Sequence, residues 1–542
     1  MRRHRSAQDR PPYGSSRRSR TCANAMVTGA LSASILALGA IALTSQAAAA
    51  GSATTWTVYH GDAAGSGVST SIKSVQTATR AWTSGKLVGQ LYGEPLDFGG
   101  HVFVATEDNR VYALSSVNGR VVWSRRLAAP VPASALPCGD ISPTVGITGT
   151  PVIDASRHEI FVVADEWVHG RPAHVLVGLD TTSGAVRMTR DVDPPGATPA
   201  ALLQRTGLTL DAGRVVFGMG GNSGDCGPYR GRVVSVAETG GKPSVFTVDA
   251  AAGEREGAIW MGGAAPTVDK HGHIWVGVGN GSVTSARQAY DHSDAVLELS
   301  SSLHLLQYFA PSTWRQDNAS DLDVSMAPAL LADGQVVGSG KTRLAYLLNG
   351  ARLGGIGRQQ ATLRTGCSAD IDGGAAVVGT TVYLPCLSGP IALRVTASPT
   401  ALHIRWRASA GGGPPIVAGN RVWTIGQNGV LYGLDPTTGA VRQRAVVGIP
   451  ANHFPTPSVG SGLLLVPSAN HVVAFRATAT GLASQIRPET TSLSSGIGGP
   501  SGGIVGSLAA AAAALASAGW VASRRRRQAA QHRRARHNPS SP

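Results

Sequence analysis

The sequence predicts an all-β protein, specifically an eight-bladed β-propeller with four strands in each blade. A phrase made of an apolar strand, a glycine-containing turn and a second strand recurs as VYALSSVNGRVVW (111–123), LVGLDTTSGAVRM (176–188) and LYGLDPTTGAVRQ (431–443). Glycine supplies the positive φ that a tight turn needs, and β-branched residues suit a half-buried strand. Each copy therefore predicts a β-hairpin.

Two further apolar segments precede each hairpin. One is a strand such as GGHVFVATEDNR (99–110), and before it comes a Thr-Pro or Ala-Pro pair with a short apolar run, as in TPVID (150–154). Four strands that repeat every ~40 to 50 residues are typical of a propeller blade. The fourth to sixth repeats are the most degenerate, so a seven-bladed ring is the alternative. The predicted hairpins begin at Val111, Leu176, Val233, Val296, Leu344, Ile391, Leu431 and Val472.

The eighth repeat lacks a fourth strand, because the chain after residue 480 becomes low in complexity. An unpaired sheet edge is a liability, and a propeller can pair it with a strand from the other end of the chain. The segment TRAWTSGKL (79–87) is the predicted donor, with Trp82 in the position that Trp123 and Trp406 occupy in their own blades.

The net charge of +15 resides mainly at the two ends of the chain, which hold 13 of these charges. The propeller, residues 51–483, is nearly neutral, which argues against a nucleic-acid partner.

Residues 1–50 combine an Arg-rich lead, an apolar run and small residues suited to cleavage, and they predict a secretory signal peptide. A retained membrane anchor is the alternative, and the Arg17-Arg18 pair leaves open whether export is general or twin-arginine.

The C-terminal end predicts a membrane anchor. Residues 484–503 form a Ser/Gly/Pro-rich linker, residues 504–522 are uncharged and long enough to span a bilayer, and residues 523–542 are rich in arginine. Such a basic tail marks the cytoplasmic side. We therefore expect a protein anchored in the plasma membrane with an extracellular propeller; a surface helix at 504–522 is the alternative.

Four cysteines remain once Cys22 is assigned to the signal peptide, an even number that suits an oxidising compartment. Three connectivities are possible. We favour Cys367 with Cys386 inside one blade and Cys138 with Cys226 between neighbouring blades; buried free thiols are the alternative.

The repeats, together with the opening segment WTVYHGDAAGSG (56–67), resemble those of the pyrroloquinoline-quinone-like propellers of secreted bacterial proteins. That superfamily includes quinoprotein alcohol dehydrogenases and also proteins without a cofactor, and the resemblance covers roughly residues 54–480. It implies the fold strongly and the function weakly.

In the quinone enzymes a tryptophan lies under the quinone, an asparagine and a glutamate bind Ca²⁺, and a cation contacts a quinone carbonyl. The stretch IWMGGAAPTVDKHGHIWVGVGNGS (259–282) is similar to the region of the tryptophan and the asparagine, and GSGKTRLAYLLN (338–349) to that of the cation. The resemblance therefore implies Trp260 and Lys341 as cofactor-binding residues and Asn280 as a metal ligand.

The segment DNASDLDVSMAP (317–328) is similar to the region of the catalytic aspartate, so the resemblance implies Asp321 or Asp323 as the base. The glutamate ligand is matched loosely by Asp225, one residue out of register and shorter. The adjacent cysteine pair that covers the quinone and the Cys-x-x-Cys-His haem motif are both missing from the sequence.

Each of these residues also has a structural interpretation: blade packing for the tryptophan, a turn for the asparagine, a loop cap for the aspartates and a solvated surface position for the lysine.

The sequence is therefore compatible with two functions. The first is a cell-surface binding or scaffold module without a cofactor, whose ligand is a protein, a glycan or a small molecule. The second is an oxidoreductase dependent on pyrroloquinoline quinone and Ca²⁺ that acts on an extracellular alcohol, polyol or sugar.

Overall fold

Four-stranded antiparallel sheets follow one another in chain order in the computed structural model, which describes residues 55–478 apart from 73, 74, 76, 249, 250 and 252. Eight such blades form within these residues. The eight-bladed ring is confirmed and the seven-bladed alternative is wrong. Every predicted hairpin supplies the third strand of a blade, and the short runs after Thr-Pro and Ala-Pro supply first strands.

Each blade has its first strand innermost and its fourth strand outermost. The strands of blades 1 to 4 are Leu96–Phe98, His101–Thr106, Arg110–Ser115 and Val121–Arg126; Val152–Asp154, Glu159–Val168, Arg171–Asp180 and Val186–Asp191; Thr209–Asp211, Arg214–Gly221, Arg232–Ala237 and Ser244–Thr247; Thr267–Val268, Ile274–Val278, Ala295–Leu299 and Leu305–Ala310. The strands of blades 5 to 8 are Ala329–Leu330, Gln335–Gly338, Leu344–Asn349 and Ala361–Arg364; Ala376–Val378, Thr381–Leu384, Ile391–Ala397 and Thr400–Arg407; Ile416–Ala418, Arg421–Ile425, Val430–Leu434 and Val441–Val446; Ser458–Gly460, Leu463–Ser468, His471–Thr478 and Thr77–Thr83.

A few elements lie outside this pattern. One α-helix, Trp314–Ser320, occupies the connection between blades 4 and 5 and was not predicted from the sequence. It is anchored by Trp314, which is 1% exposed and contacts Tyr290 edge-on at 4.7 Å between ring centres. The additional short strands and 3-10 helices are Val68–Ser69, Val131–Pro132, Thr144–Val145, Leu202–Leu203, Gly355–Ile356, Ala133–Ala135, Pro199–Ala201 and Met261–Gly263.

The ring closes with a strand from the N-terminal side, as predicted. Thr77–Thr83 pairs antiparallel with His471–Thr478 and becomes the fourth strand of blade 8. The observed strand begins two residues before the predicted segment. Blades 8 and 1 then meet directly, because the Ser461 hydroxyl donates to Asp97 Oδ2 at 2.9 Å. The closing strand therefore pairs the edge that the low-complexity C-terminal side leaves open.

The recurring glycine and tryptophan join neighbouring blades at three of the junctions in the ring. The tryptophan of one blade lies against the turn glycine of the following blade, and its indole N–H donates to a carbonyl of that turn at 2.9–3.0 Å. These glycines have φ between 67° and 71°, a conformation that glycine adopts without strain. The three pairs are Trp82 with Gly119, Trp123 with Gly184, and Trp406 with Gly439.

The opening segment, residues 56–69, runs through the centre of the ring. Its carbonyl groups accept backbone N–H groups of four first strands: Thr57 from Ile153, Ala63 from Val268, Ser66 from Val377 and Gly67 from Val417, at 2.7–2.8 Å. These four strands belong to blades 2, 4, 6 and 7, so the segment crosses the axial channel. We call it the axial plug.

The predicted signal peptide, linker, membrane span and basic tail lie outside the described residues, and their assignments stay predictions. Among the residues that the structure describes, no helix has the length and apolar character needed to cross a bilayer.

Candidate ligand site on the propeller axis

The loops that enter each blade and the loops that join second to third strands lie at the same end of the ring, because strand directions alternate. We call this end the site face. Both disulfides lie here, with Cα–Cα distances of 5.9 Å: Cys138 with Cys226, and Cys367 with Cys386. These are the favoured pairings, and the alternative of buried free thiols is wrong. The first joins the loop before blade 2 to the loop of blade 3 that carries Asp225.

Three residues that the resemblance singled out contact one another on the site face. The Trp260 indole N–H donates to Asp323 Oδ2 at 3.2 Å, and the Lys341 ammonium lies 2.6 Å from the same oxygen. Lys341 also pairs with Asp321 Oδ1 at 2.5 Å, and its Nζ lies 5.5 Å from the centre of the Trp260 ring. Asp323 is buried and the other three are partly buried. Burial would lower the pKa of Lys341, but the two carboxylates raise it overall.

This cluster lies near the ring axis because residues from opposite blades meet there. Trp260 enters blade 4 and Phe454 enters blade 8, yet their ring centres are 5.7 Å apart. In a ring of eight, blades 4 and 8 face each other across the axis. Trp260 is therefore not an outer-strand packing residue of its blade.

Arg205, which enters blade 3, completes the site. Its guanidinium carbon lies 5.6 Å from the ring centre of Tyr92 and 5.5 Å from that of Phe454, on the loops entering blades 1 and 8. Arg205 is only 8% exposed, and its side chain forms no hydrogen bond or salt bridge with any described residue. We call Tyr92, Arg205, Trp260, Asp323, Lys341 and Phe454 the axial site.

Acidic residues border the axial site. Burial, helped by the charge of Asp225, raises the pKa of Glu256 to about 7. Partial burial and the charge of Asp323 raise the pKa of Asp321 to about 6, against the opposing effect of Lys341. Glu256 and Asp321 therefore take up protons at mildly acidic pH, which makes this border less negative.

The axial plug forms the floor beneath the site. Glu94 accepts the Trp56 indole N–H at 2.9 Å and the His60 backbone N–H at 2.8 Å, and burial raises the pKa of Glu94 well above its usual range. The Tyr59 hydroxyl accepts the Gly374 N–H at 3.1 Å. These contacts hold the plug against blades 1 and 6.

The two residues implied as calcium ligands, Asn280 and Asp225, take part in other contacts. Calcium takes six to eight oxygen ligands. Asn280 meets the cluster through its backbone N–H, which donates to Asp323 Oδ1 at 2.7 Å and cannot ligate a cation. Asp225 is exposed, and its carboxylate accepts the Tyr229 hydroxyl at 2.6 Å. The site thus supplies an aromatic platform and a paired cation beside several carboxylates.

Sequence reasoning missed Tyr92, Arg205 and Phe454. Each lies four residues before the first strand of its blade, whereas Trp260 lies seven residues before Thr267–Val268. That shared position in the repeat is the signal that could have identified them.

Comparison with known proteins supports the fold. The family model described as "Outer membrane protein assembly factor BamB", a pyrroloquinoline-quinone-like repeat model, matches residues 56–244. No curated protein sequence gives a significant match. Among solved structures, the quinohemoprotein alcohol dehydrogenase of Pseudomonas putida HK5 is 13% identical with a TM-score of 0.59, over 81% of this chain and 83% of that one.

Two further solved structures are similar. The quinohemoprotein alcohol dehydrogenase of Comamonas testosteroni is 15% identical with a TM-score of 0.60, over 82% of this chain and 83% of that chain. A europium-containing methanol dehydrogenase is 13% identical with a TM-score of 0.56, over 78% and 98%. At such identities the likeness establishes the fold alone.

Proposed function

We propose that this pyrroloquinoline-quinone-like β-propeller is a membrane-anchored binding or scaffold module of the cell surface, and that its axial site binds an acidic group of its ligand without catalysis. The observation that carries the proposal is the buried, unpartnered guanidinium of Arg205. A rigid ring whose loops converge on one face suits such a role.

A buried charge is costly unless an opposite charge accompanies it. The rings of Tyr92 and Phe454 compensate part of that cost, since a cation over an aromatic face gains about 0.5–2 kcal/mol. Two acids near Arg205 compensate the rest only in part: Asp140 is exposed and screened by water, and burial raises the pKa of Glu107 to about 8 and keeps it largely protonated at neutral pH. A carboxylate from a ligand would supply the missing charge, and the planar guanidinium matches a carboxylate with two parallel hydrogen bonds.

The remaining charged groups of the axial site are engaged with one another. Asp323 accepts from three donors, namely the Asn280 N–H, the Trp260 indole and the Lys341 ammonium. Lys341 is neutralised by two carboxylates. Groups engaged with one another in this way hold the loops of blades 4 and 5 in place.

Isothermal titration of the full chain tests the proposal. The first probe is benzene-1,3,5-tricarboxylate, a planar acid without redox chemistry, and the second is pyrroloquinoline quinone, each with calcium or with a chelator. We expect both acids to bind regardless of calcium, and Arg205→Gln to weaken binding by about tenfold or more, since a charge-assisted hydrogen bond contributes about 1.5–3 kcal/mol. Arg442→Gln, an exposed arginine on the outer strand of blade 7, is the matched control. Equal binding by Arg205→Gln and wild type, or no heat from either acid, would overturn the proposal.

A calcium-dependent quinoprotein oxidoreductase acting on an extracellular alcohol, polyol or sugar is the second candidate. The mutual contact of Trp260, Asp323 and Lys341 favours it. It predicts that only the quinone binds, that binding requires calcium, and that Trp260→Ala and Asp323→Ala abolish it. The same titration therefore separates the two functions.

A further inference from the structure

A second polar cluster lies on the opposite end of the ring from the axial site. The turns between first and second strands of blades 3 and 4 meet there, carrying Asp211 from blade 3 and Asp269 and His273 from blade 4. Glu298, on the third strand of blade 4, lies beside them and is buried. The proposed ligand binding at the axial site does not involve any of these residues.

The donor atoms of Asp269, His273 and Glu298 are close enough to share one ion. All three lie within 4.8 Å of one another. His273 Nδ1 is 2.6 Å from Glu298 Oε1 and 3.7 Å from Asp269 Oδ2. Ligands bound to one zinc ion at about 2.0–2.2 Å have separations of this order, so small side-chain shifts would admit an ion between them.

Asp211 provides an independent indication of a missing cation. It is 9% exposed, and its Oδ2 is buried without a hydrogen-bond partner among the described residues. Its Oδ1 would lie 3.3 Å from a Cβ at Gly272, which belongs to the turn between Asp269 and His273, so the carboxylate lies beside that turn. Burial raises the pKa of Asp211 and the negative charge of Asp269 raises it further, against the opposing effect of His273. Two carboxylates from neighbouring blades therefore repel each other across the boundary.

Surrounding hydrogen bonds orient the side chains that would bind the ion. Asp269 Oδ1 accepts the backbone N–H groups of His271 and His273, and Oδ2 accepts the Trp275 indole at 3.1 Å. Gln307 donates to Glu298 Oε2, which fixes the carboxylate with Oε1 towards His273. Partners of this kind commonly hold metal ligands in position.

We propose that Asp269, His273 and Glu298 bind a divalent transition-metal ion of the zinc class, and that the Asp211 carboxylate moves to complete the site and so joins blades 3 and 4. One imidazole and three carboxylates form a mixed nitrogen and oxygen donor set, which suits zinc better than calcium.

The test uses the untagged full chain and Zn²⁺ as the probe, followed by titration calorimetry and thermal denaturation. We expect one equivalent of Zn²⁺ to bind and to raise the Tm, since an ion bound only by the folded state stabilises it. Co²⁺ in its place should give visible absorption bands. His273→Gln and Asp211→Asn should each weaken Zn²⁺ binding by more than about tenfold. His304→Gln, an exposed histidine on the same blade, is the matched control.

Asp211→Asn also excludes a folding artefact. The substitution removes the repulsion between the two carboxylates, so the metal-free variant should be at least as stable as the metal-free wild type while failing to bind zinc tightly. Wild-type protein that gives no heat with Zn²⁺ would overturn the assignment. Zinc binding that His273→Gln and Asp211→Asn leave unchanged would also overturn it, and would mean that the histidine and the carboxylates form only a hydrogen-bonded network.

Discussion

At the scale of single residues, the site face depends on buried charges that neutralise one another. The Asp323 side chain is 3% exposed, whereas that of Asp321 is 41% exposed, and both contact Lys341. A buried carboxylate that loses its partner keeps its full desolvation cost, while an exposed one is solvated by water. The two ion pairs should therefore contribute very differently to stability.

Replacement of the shared lysine tests this difference. Lys341→Met should lower the free energy of unfolding by about 3 kcal/mol or more, because Asp323 is left buried and unpaired. Asp321→Asn, which keeps a residue suited to the positive φ of 55° at this position, should cost less than about 1 kcal/mol, as for other partly exposed pairs. Chemical denaturation measures both variants. Similar losses for the two would show that burial does not set the strength of these pairs.

Glu107 should make the stability of the protein depend on pH. Burial raises its pKa from 4.5 to about 8, and its Oε2 accepts the Gly146 N–H at 2.7 Å. The folded state thus holds a proton that the unfolded state releases, so stability is greatest below about pH 4.5 for this group and falls as the pH rises towards 8. Each pH unit in that range costs at most about 1.4 kcal/mol.

Denaturation between pH 5 and pH 8 (roughly the range between the two pKa values) measures this effect. Glu107→Gln, which carries no titratable proton, should flatten the fall in unfolding free energy relative to wild type. A variant with the same pH slope as the wild type would contradict the assignment of the proton to Glu107.

At the residue scale, only part of the axial site could be predicted from the sequence. Resemblance pointed to Trp260, Asp321, Asp323 and Lys341, and the structure brings these four into contact, while their functional roles stay predictions. Arg205 could not be identified in this way. Its aromatic neighbours lie more than 100 residues away along the chain, and only the closed ring brings them together.

At the scale of elements, the repeated phrase is explained by contacts between blades. The turn glycine serves two purposes: it adopts a positive φ, and it leaves room for the tryptophan of the preceding blade. A Cβ at Gly184 would lie 2.6 Å from a Trp123 ring atom. The hairpins and the closing strand were predictable because they depend on this local repeat. The axial plug was not, because distant blades hold it in place, and the helix Trp314–Ser320 was not, because it lies in a connection that does not repeat and is held by the 281–290 loop of blade 4.

A pair of glycine substitutions isolates the contact between blades. Gly184→Ala should destabilise the protein both through positive φ and through overlap with Trp123. Gly170→Ala is the control, because Gly170 has a similar φ of 74° and nothing within 4 Å of an added Cβ. We expect Gly184→Ala to cost about 1–3 kcal/mol more than the control, the usual cost of overpacking. Equal unfolding free energies would mean that the tryptophan adapts freely.

At the scale of the whole molecule, the closed ring determines which side chains from different blades meet. Eight blades, the closing strand and the axial plug bring loops from blades 1, 3, 4, 5 and 8 to one point on the site face. The repeat predicted the ring itself, including its closure by Thr77–Thr83. It did not predict the composition of the axial site, since five blades contribute one or two side chains each from loops whose sequences differ.

The binding of benzene-1,3,5-tricarboxylate to wild type and Arg205→Gln, compared by titration calorimetry, tests the central claim most directly. The axial site, as described, predicts calcium-independent binding to the wild type and to Arg442→Gln, and a dissociation constant about tenfold or more higher for Arg205→Gln. Identical dissociation constants for wild type and Arg205→Gln would contradict the claim that the buried guanidinium recognises an acidic ligand.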